Sequence, residues 1–175
     1  MNIYLIRHTK VAVAKGICYG QTDVKLADSF TDELNKIKAQ IENIKFDKIY
    51  SSPLKRCKKL AKQLFSSDII YDDRLMELNF GEWELQEWDK IQHPDLDRWM
   101  TDYVNTPCPN GESFLDMHKR VISFIFDLHT EKCKNIAIIA HGGSIRNFIT
   151  HIKNEDLKDA FKREINYGEI IKLEI

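Results

Sequence analysis

The sequence predicts an α/β fold, a three-layer sandwich in which a mostly parallel central sheet carries helices on both faces and a small helical cap. Two runs, residues 3–6 and 136–140, are entirely apolar, which is typical of strands buried on both faces. Segments with apolar residues at helical spacing alternate with further short strand-like runs, an order that builds a sheet covered on both sides. We expect the 175 residues to form one domain, with a cap insertion at about residues 78–112.

The composition argues against several classes of protein. The chain has 26 basic and 27 acidic residues and a net charge of −1, so its charge does not favour nucleic acid or a membrane surface as a partner. No apolar run approaches the ~20 residues that cross a bilayer, and the first residues form a strand pattern rather than a signal peptide. The four cysteines include no Cys-x-x-Cys, so we expect reduced thiols, no metal site and a cytoplasmic protein. They are Cys18, Cys57, Cys108 and Cys133.

The first strand ends abruptly in Arg7 and His8. A buried parallel strand delivers the residues after it to the carboxyl edge of the sheet, where open α/β folds bind ligands. These two side chains are therefore candidates for chemistry, although the pair alone fits a solvated strand end better. The long irregular stretch that follows, to about residue 29, is either a functional loop or a surface loop with turn glycines.

Two helices are predicted from their first turns. Thr31 is the expected N-cap of the first helix, because two acidic residues follow it. Ser52, after a second strand at residues 46–50, is the expected N-cap of the second, with Pro53 at the first helical position. Arg56 lies in the first turn of that helix. It is either a ligand of a bound anion at the helix N-terminus or one exposed cation among several lysines.

A third short strand is expected at residues 69–71, and the cap follows it. The cap has no clean sheet pattern and holds all three tryptophans, so we interpret it as short helices over one end of the sheet. Its aromatic side chains either contact a ligand or pack on the core. The aromatic residues concerned are Phe80, Trp83, Trp88, Trp99 and Tyr103.

The second half of the chain repeats the layout of the first strand. The apolar strand at residues 135–140 ends in His141, and Gly142 and Gly143 then allow backbone N–H groups to approach a ligand at a helix N-terminus. The other elements expected here are helices at 113–130, from 145 and at 154–163, and a final strand at 168–175.

Two histidines, two arginines and a carboxylate are thus expected near one rim. Guanidinium groups match phosphate oxygens, and a histidine can attack phosphorus to give a covalent intermediate. A second histidine and a backbone N–H can stabilise the equatorial oxygens, and a glutamate can protonate the departing oxygen and then activate water. Because the protein supplies the cations, this chemistry needs no metal or cofactor.

Five short motifs occur in order along nearly the whole chain. They are Leu5-Ile6-Arg7-His8-Thr9, Ser51-Ser52-Pro53-Leu54-x-Arg56, Phe80-Gly81-x-Trp83-Glu84 in the segment from Glu77, Asn110-Gly111-Glu112-Ser113, and Ala140-His141-Gly142-Gly143-x-Ile145-Arg146. Each motif alone is weak, but five in this order are very specific. Together they resemble the motifs of the histidine phosphatase superfamily, also called phosphoglycerate-mutase-like.

The resemblance implies a role for each residue. His8 would be the nucleophile that becomes phosphohistidine, and Arg7, Arg56 and His141 would form the phosphate pocket. Glu77 would be the general acid, although Glu82 and Glu84 lie close by. We expect His8 to be neutral, with its pKa lowered by the flanking arginines and its second ring nitrogen held by a backbone carbonyl. Further contacts to the phosphate or substrate are expected from Thr9, Tyr19, Gly20, Gln21 and Gly142.

Some positions depart from the pattern of many members. Val13 stands where an asparagine usually contacts phosphate, and Leu85 stands where a glycine usually follows Trp-Glu, which weakens a mutase assignment. The loop instead resembles an α-ribazole phosphatase subgroup. The segments that carry this resemblance are Arg7-His8-Thr9-x-Val11 and Gly16-x-Cys18-Tyr19-Gly20-Gln21-x-Asp23-Val24.

The sequence therefore predicts a phosphomonoesterase that uses a phosphohistidine and no cofactor. The substrate implied by the resemblance is α-ribazole-5′-phosphate, in cobalamin biosynthesis. The alternatives are a broad sugar-phosphate phosphatase, a phosphoglycerate mutase, or an inactive phosphate-binding module. The expected partner is a small-molecule phosphate monoester, and the sequence leaves both a monomer and a homodimer open.

Overall fold

The computed structural model describes all 175 residues, and a five-stranded sheet lies at its centre. The strands are β1 (Asn2–Arg7), β2 (Lys48–Ser51), β3 (Ile70–Tyr71), β4 (Asn135–Ala140) and β5 (Ile170–Glu174). Their order across the sheet is β3-β2-β4-β1-β5. Only β5 runs antiparallel to its neighbour, so the prediction of a mostly parallel sheet is confirmed.

Helices cover both faces of this sheet. Successive residues of a strand point to opposite faces, so each strand contributes apolar side chains to both helical layers. The α-helices are α1 (Phe30–Ile41), α2 (Lys55–Leu64), α3 (Leu96–Thr101), α4 (Phe114–Leu128) and α5 (Gly142–Ile152). From β1, Ile3 and Leu5 are buried in the same cluster as the apolar residues of α4 and α5. Ile6 is buried in the other cluster, with α1 and α2. Each such side chain, fully buried, stabilises the fold by about 1.5–3 kcal/mol.

Two predicted helix caps are wrong. Helix α1 begins before Thr31, because Ser29 already has helical backbone angles and its carbonyl accepts the N–H of Glu33 at 3.0 Å. Helix α2 begins at Lys55 rather than after Ser52. The Ser52 hydroxyl accepts the N–H of Leu54 at 3.3 Å and is also bonded to His141, so it serves a tight turn and a distant ring instead of a helix end.

The two C-terminal helices also differ from expectation. The helix predicted from residue 145 begins at Gly142, because the backbone N–H of His141 donates to Ser144 Oγ at 3.0 Å and closes the first turn three residues earlier. The helix predicted at 154–163 is a shorter 3₁₀ helix, Leu157–Lys162. It starts where the Asp156 carboxylate accepts the N–H of Lys158.

The cap is helical, as predicted, and most of its aromatic side chains serve packing. It contains the 3₁₀ helices Gly81–Trp83 and Trp88–Lys90, followed by α3. The Trp99 side chain is buried and stacks on Trp88 with ring centroids 5.6 Å apart. None of the helices has the length and apolar character that a bilayer crossing requires.

Helix α4, which carries the core contacts between the sheet and the cap, begins with a capping box. The Ser113 hydroxyl accepts the N–H of Asp116 at 3.1 Å, and the Asp116 carboxylate accepts the N–H of Ser113 at 3.3 Å. Two backbone donors of the first turn are satisfied in this way.

We expect Ser113→Ala to lower the free energy of unfolding by about 1 kcal/mol, because it removes the N-cap hydroxyl from a buried helix end. Urea unfolding followed by circular dichroism measures the change. Ser67→Ala, at an exposed loop position, is the matched control and should change stability by less than about 0.5 kcal/mol. Equal stability of the two variants would contradict a stabilising role for the capping box.

Candidate active site

The ends of β1 and β4 bring two histidines together at the carboxyl edge of the sheet. Arg7 pairs with Ala140 across the two strands, so His8 and His141 follow at the same level, with ring centroids 5.0 Å apart. A cavity of about 190 Å³ opens beside His8. Its charged or titratable wall comprises Arg7, His8, Glu77 and Arg146, and its aromatic wall comprises Tyr19, Phe80, Trp88 and Phe161.

His8 is buried, and its ring is oriented by the backbone of the next residue. The carbonyl of Thr9 can only accept, so His8 Nδ1 carries the proton and donates to it at 2.8 Å. Nε2 therefore holds the free lone pair. Burial lowers the pKa of His8 well below 6.5, and the charges of Arg56 and Arg7 lower it further. The predicted direction and carbonyl partner are confirmed, but burial is a larger cause than the arginines.

Arg56 is fully buried, so the interpretation of this residue as an exposed cation is wrong. Its Nε–H donates to His141 Nδ1 at 3.2 Å, and its Nη1 donates to the carbonyl of Thr22 at 3.0 Å. Nη2 donates to the carbonyl of Gly20. Three acceptors, two from the loop between β1 and α1 and one from His141, thus hold one guanidinium beside the two histidines, with no carboxylate paired to it.

His141 is held from both sides. Because its Nδ1 accepts from Arg56, its Nε2 carries the proton and donates to Ser52 Oγ at 2.8 Å. Burial lowers the pKa of His141 well below 6.5, and the nearby charge of Arg56 adds to the effect. His141 is therefore a neutral donor next to His8. The buried thiol of Cys57 lies 3.4 Å from the same ring, and burial raises its pKa to about 12.

Arg7 lines the cavity and is fixed by the C-terminal part of the chain. Its Nη1 donates to the carbonyl of Ile165, and its guanidinium carbon lies 4.0 Å from the ring centroid of Tyr167. Its Nε is buried with no hydrogen-bond partner. No carboxylate pairs with Arg7, so no opposite charge within the protein offsets this side chain at the cavity wall.

Glu77 also lines the cavity, and two backbone donors hold its carboxylate. The N–H groups of Leu78 and Gly143 donate to it at 2.9 and 3.1 Å. A side chain at 143 would displace the Glu77 carboxylate, because a Cβ there would lie 2.1 Å from Glu77 Oε1. The chain around Glu77 is clamped by Arg120, which donates to the carbonyls of residues 74, 76 and 77 and pairs with Glu112 at 2.6 Å.

The two neighbouring acids lie away from this cavity. Glu84 accepts the N–H groups of Gln21, Thr22 and Phe80. Burial opposes ionisation of Glu84, but these hydrogen bonds outweigh it and lower the pKa. Glu82 is exposed. Glu77 is therefore the acid of this segment that reaches the cavity.

The predicted loop contacts divide into two groups. Tyr19 and Gly142 line the cavity. Thr9, Gly20 and Gln21 do not line it and contact other site residues instead. The carbonyls of Thr9 and Gly20 accept hydrogen bonds from His8 and Arg56. The Gln21 side-chain amide donates to the carbonyl of Glu77. The Thr9 hydroxyl is buried with no hydrogen-bond partner. Arg56 and His141 also lie beside His8 rather than on the cavity wall.

Sequence reasoning missed four residues of this site. They are Arg120, Arg146, Tyr167 and Ser52, which was expected only as a helix cap and not as the partner of His141. Arg146 ends the motif that begins at Ala140, and this motif was the sequence signal that could have identified it. Its Nε donates to the carbonyl of Arg163 at 3.1 Å. Its other two guanidinium nitrogens have no hydrogen-bond partner in the protein, and the residue lines the same cavity as Arg7. The other three depend on contacts distant in sequence. No cluster of three or more His, Cys, Asp or Glu side chains is arranged to hold a metal ion.

Several known proteins are similar to this chain in sequence or in fold. A Hydrogenobacter thermophilus protein named "Putative phosphoserine phosphatase 2" is 28% identical over 179 residues, covering 98% of this chain and 88% of the relative. The adenosylcobalamin/alpha-ribazole phosphatase of Salmonella typhimurium is 28% identical over 161 residues, covering 87% and 79%. The crystal structure of the alpha-ribazole phosphatase from Shigella flexneri superposes with a TM-score of 0.92 at 23% identity, covering 100% of this chain and 91% of that one.

The family model described as histidine phosphatase superfamily (branch 1) matches residues 3–175, nearly the whole chain. Relatives named as phosphatases, together with a histidine and cationic side chains at one sheet edge, identify the reaction class as hydrolysis of phosphoric monoesters. The chain belongs to the histidine phosphatase superfamily.

Proposed function

We propose that this phosphatase transfers the phosphoryl group to His8 Nε2 and then to water. The observation that carries the proposal is the state of the His8 ring, which is buried, neutral and oriented by the Thr9 carbonyl so that Nε2 keeps its lone pair. A neutral imidazole is the nucleophilic form of histidine. Arg7 lines the same cavity and can hold two phosphate oxygens with its planar fork.

In the first step, the Nε2 lone pair of His8 forms a bond to phosphorus while the bond from phosphorus to the leaving oxygen breaks. The charge of Arg56, adjacent to His8, opposes the negative charge on the equatorial oxygens, and His141 holds that guanidinium in place by accepting its Nε–H. Because the protein fixes these groups before the substrate arrives, little reorganisation is needed in the transition state.

Glu77 is the proposed proton carrier for both steps. Its carboxyl group gives a proton to the leaving oxygen, and the resulting carboxylate takes a proton from the water that attacks phosphohistidine. The second step breaks the bond between phosphorus and Nε2 and releases phosphate.

For the substrate, we propose α-ribazole-5′-phosphate. Four aromatic side chains line the cavity beyond the reacting atoms, and such a wall suits a flat aromatic leaving group. The loop motif that ends in Asp23-Val24 and a relative named as an alpha-ribazole phosphatase support the same choice. We infer that the chain acts as one domain on a small-molecule ester in the cytoplasm.

Arg146 favours a second candidate, a phosphate ester whose leaving group carries a carboxylate. Two of its guanidinium nitrogens are uncommitted at the cavity, on the side where the leaving group would lie near Glu77. A carboxylate could pair with this fork. Phosphoserine has such a group, and one relative is named after it.

A substrate panel distinguishes these candidates. We expect kcat/KM for α-ribazole-5′-phosphate to exceed that for phosphoserine, 3-phosphoglycerate and sugar phosphates by at least about tenfold, with chelator present. Acid-labile phosphate should label the wild-type protein and not His8→Asn, because the variant has no free imidazole nitrogen. A preference for phosphoserine that Arg146→Gln abolishes would favour the second candidate. Turnover without protein labelling, or hydrolysis by His8→Asn, would contradict the covalent mechanism.

We expect Glu77→Gln to slow esters with poor leaving groups most. Loss of a general acid costs about 10²–10⁴-fold in rate for an alkyl ester, whereas p-nitrophenolate leaves without a proton and should lose less than about tenfold. Stopped assays of both substrates measure the ratio. Glu82→Gln, which changes an exposed acid of the same segment, is the control and should keep the wild-type rates. Equal losses on both esters would exclude Glu77 as the acid.

The buried histidines should make stability fall below neutral pH. His8 and His141 have lowered pKa values in the folded protein, so below about pH 6.5 the unfolded chain binds more protons and the free energy of unfolding decreases. The loss can reach about 1.4 kcal/mol per pH unit for each histidine and is absent above about pH 7.5. Urea unfolding from pH 5 to 7.5 measures the slope. His8→Asn should reduce the slope, and an unchanged slope would contradict a neutral, buried His8.

A further inference from the structure

We propose that Tyr167 is a positioning residue that holds the Arg7 guanidinium in place for phosphate. The inference rests on the proposed function in one respect, the role of Arg7 as a phosphate ligand. Nothing in the motifs shared with the family marks Tyr167, which lies 26 positions beyond His141 in the chain.

The contacts that fix the Arg7 guanidinium come from one short segment. Its Nη1 donates to the carbonyl of Ile165, and its guanidinium carbon lies 4.0 Å from the centroid of the Tyr167 ring. No carboxylate pairs with Arg7. A ring face orients a guanidinium without neutralising it, so the charge remains available to an anion. An aspartate or glutamate at 167 would compete with the phosphate instead.

The backbone explains why Tyr167 reaches the site. The carbonyl of His8 accepts the N–H of Gly168 at 3.2 Å, and the carbonyl of Glu169 accepts the N–H of Arg7 at 3.0 Å. Gly168 has a φ of +70°, a left-handed conformation that favours glycine and turns the chain into β5. The segment before β5 is thus bonded to the very residues that end β1.

A second tyrosine, Tyr19, is hydrogen-bonded to Tyr167. The hydroxyls of Tyr167 and Tyr19 are hydrogen-bonded at 2.6 Å, and Tyr19 lines the cavity from the loop between β1 and α1. The Tyr167 ring also lies 5.6 Å from the His8 ring. Tyr167 therefore touches the nucleophile, the cationic ligand and the cavity loop at once. We expect the stack, rather than the hydroxyl bond, to account for most of its effect on phosphate.

The test measures the affinity of the folded protein for inorganic phosphate by calorimetry, so it does not depend on turnover. Tyr167→Leu removes the ring and should raise the Kd for phosphate about tenfold. Tyr167→Phe keeps the ring and should stay within about twofold of wild type, as should Tyr71→Leu, an exposed position on β3. If Tyr167→Leu does not fold, Tyr167→Met provides the same loss of the ring with a flexible side chain.

A double-mutant cycle separates positioning of Arg7 from a merely structural role. In an Arg7→Lys background, the ring has no planar guanidinium to orient, so Tyr167→Leu should change the Kd for phosphate by less than about twofold. The same tenfold loss in both backgrounds would show that Tyr167 acts independently of Arg7, and would overturn the proposal. Phosphate affinity equal to wild type in Tyr167→Leu would also overturn it. Failure of the covalent mechanism appears separately, as absence of protein labelling with phosphate binding intact.

Discussion

The parallel pairing of β1 with β4 is the constraint on which the rest of the site depends. Ala140 lies opposite Arg7, so both strands end at one level and deliver His8 and His141 side by side. A slip of one residue would turn the apolar side chains of β1 to the opposite face of the sheet. Since both faces of the strand are buried, the core fixes this register, and the spacing of the two rings follows from packing.

Around this edge, the protein holds cationic groups without pairing them to carboxylates. Burial of an unpaired charge is costly unless polar groups solvate it, and Arg56 is solvated by two backbone carbonyls and a histidine nitrogen. Acceptors of this kind orient a guanidinium but leave its net charge unchanged. The positive potential therefore stays at the site, where it adds to burial in lowering the pKa of His8 and favours a phosphate anion. One arrangement serves both the nucleophile and the substrate.

Sequence reasoning succeeded where local pattern decides and failed where distant contacts decide. The apolar runs predict β1 and β4, and the residues directly after them are the histidines of the site. Ser52 matches a helix-cap pattern, yet its hydroxyl is bonded to His141, 89 positions away, and the helix starts later. Tyr167 and Arg120 carry no local signal at all, because their partners are defined only once β5 and α4 have packed.

The same division separates chemistry from specificity. The groups proposed to act on phosphorus are held by the sheet edge and by the first turns of α2 and α5, which pack into the core. The walls that would meet the leaving group come from the cap and from the segments around Tyr19 and Phe161, where side chains can change without disturbing β1 or β4. Relatives of equal identity can therefore carry different substrate names. A mixed wall of aromatic rings and one uncommitted guanidinium makes the leaving group, rather than the phosphate, the feature that this chain must distinguish.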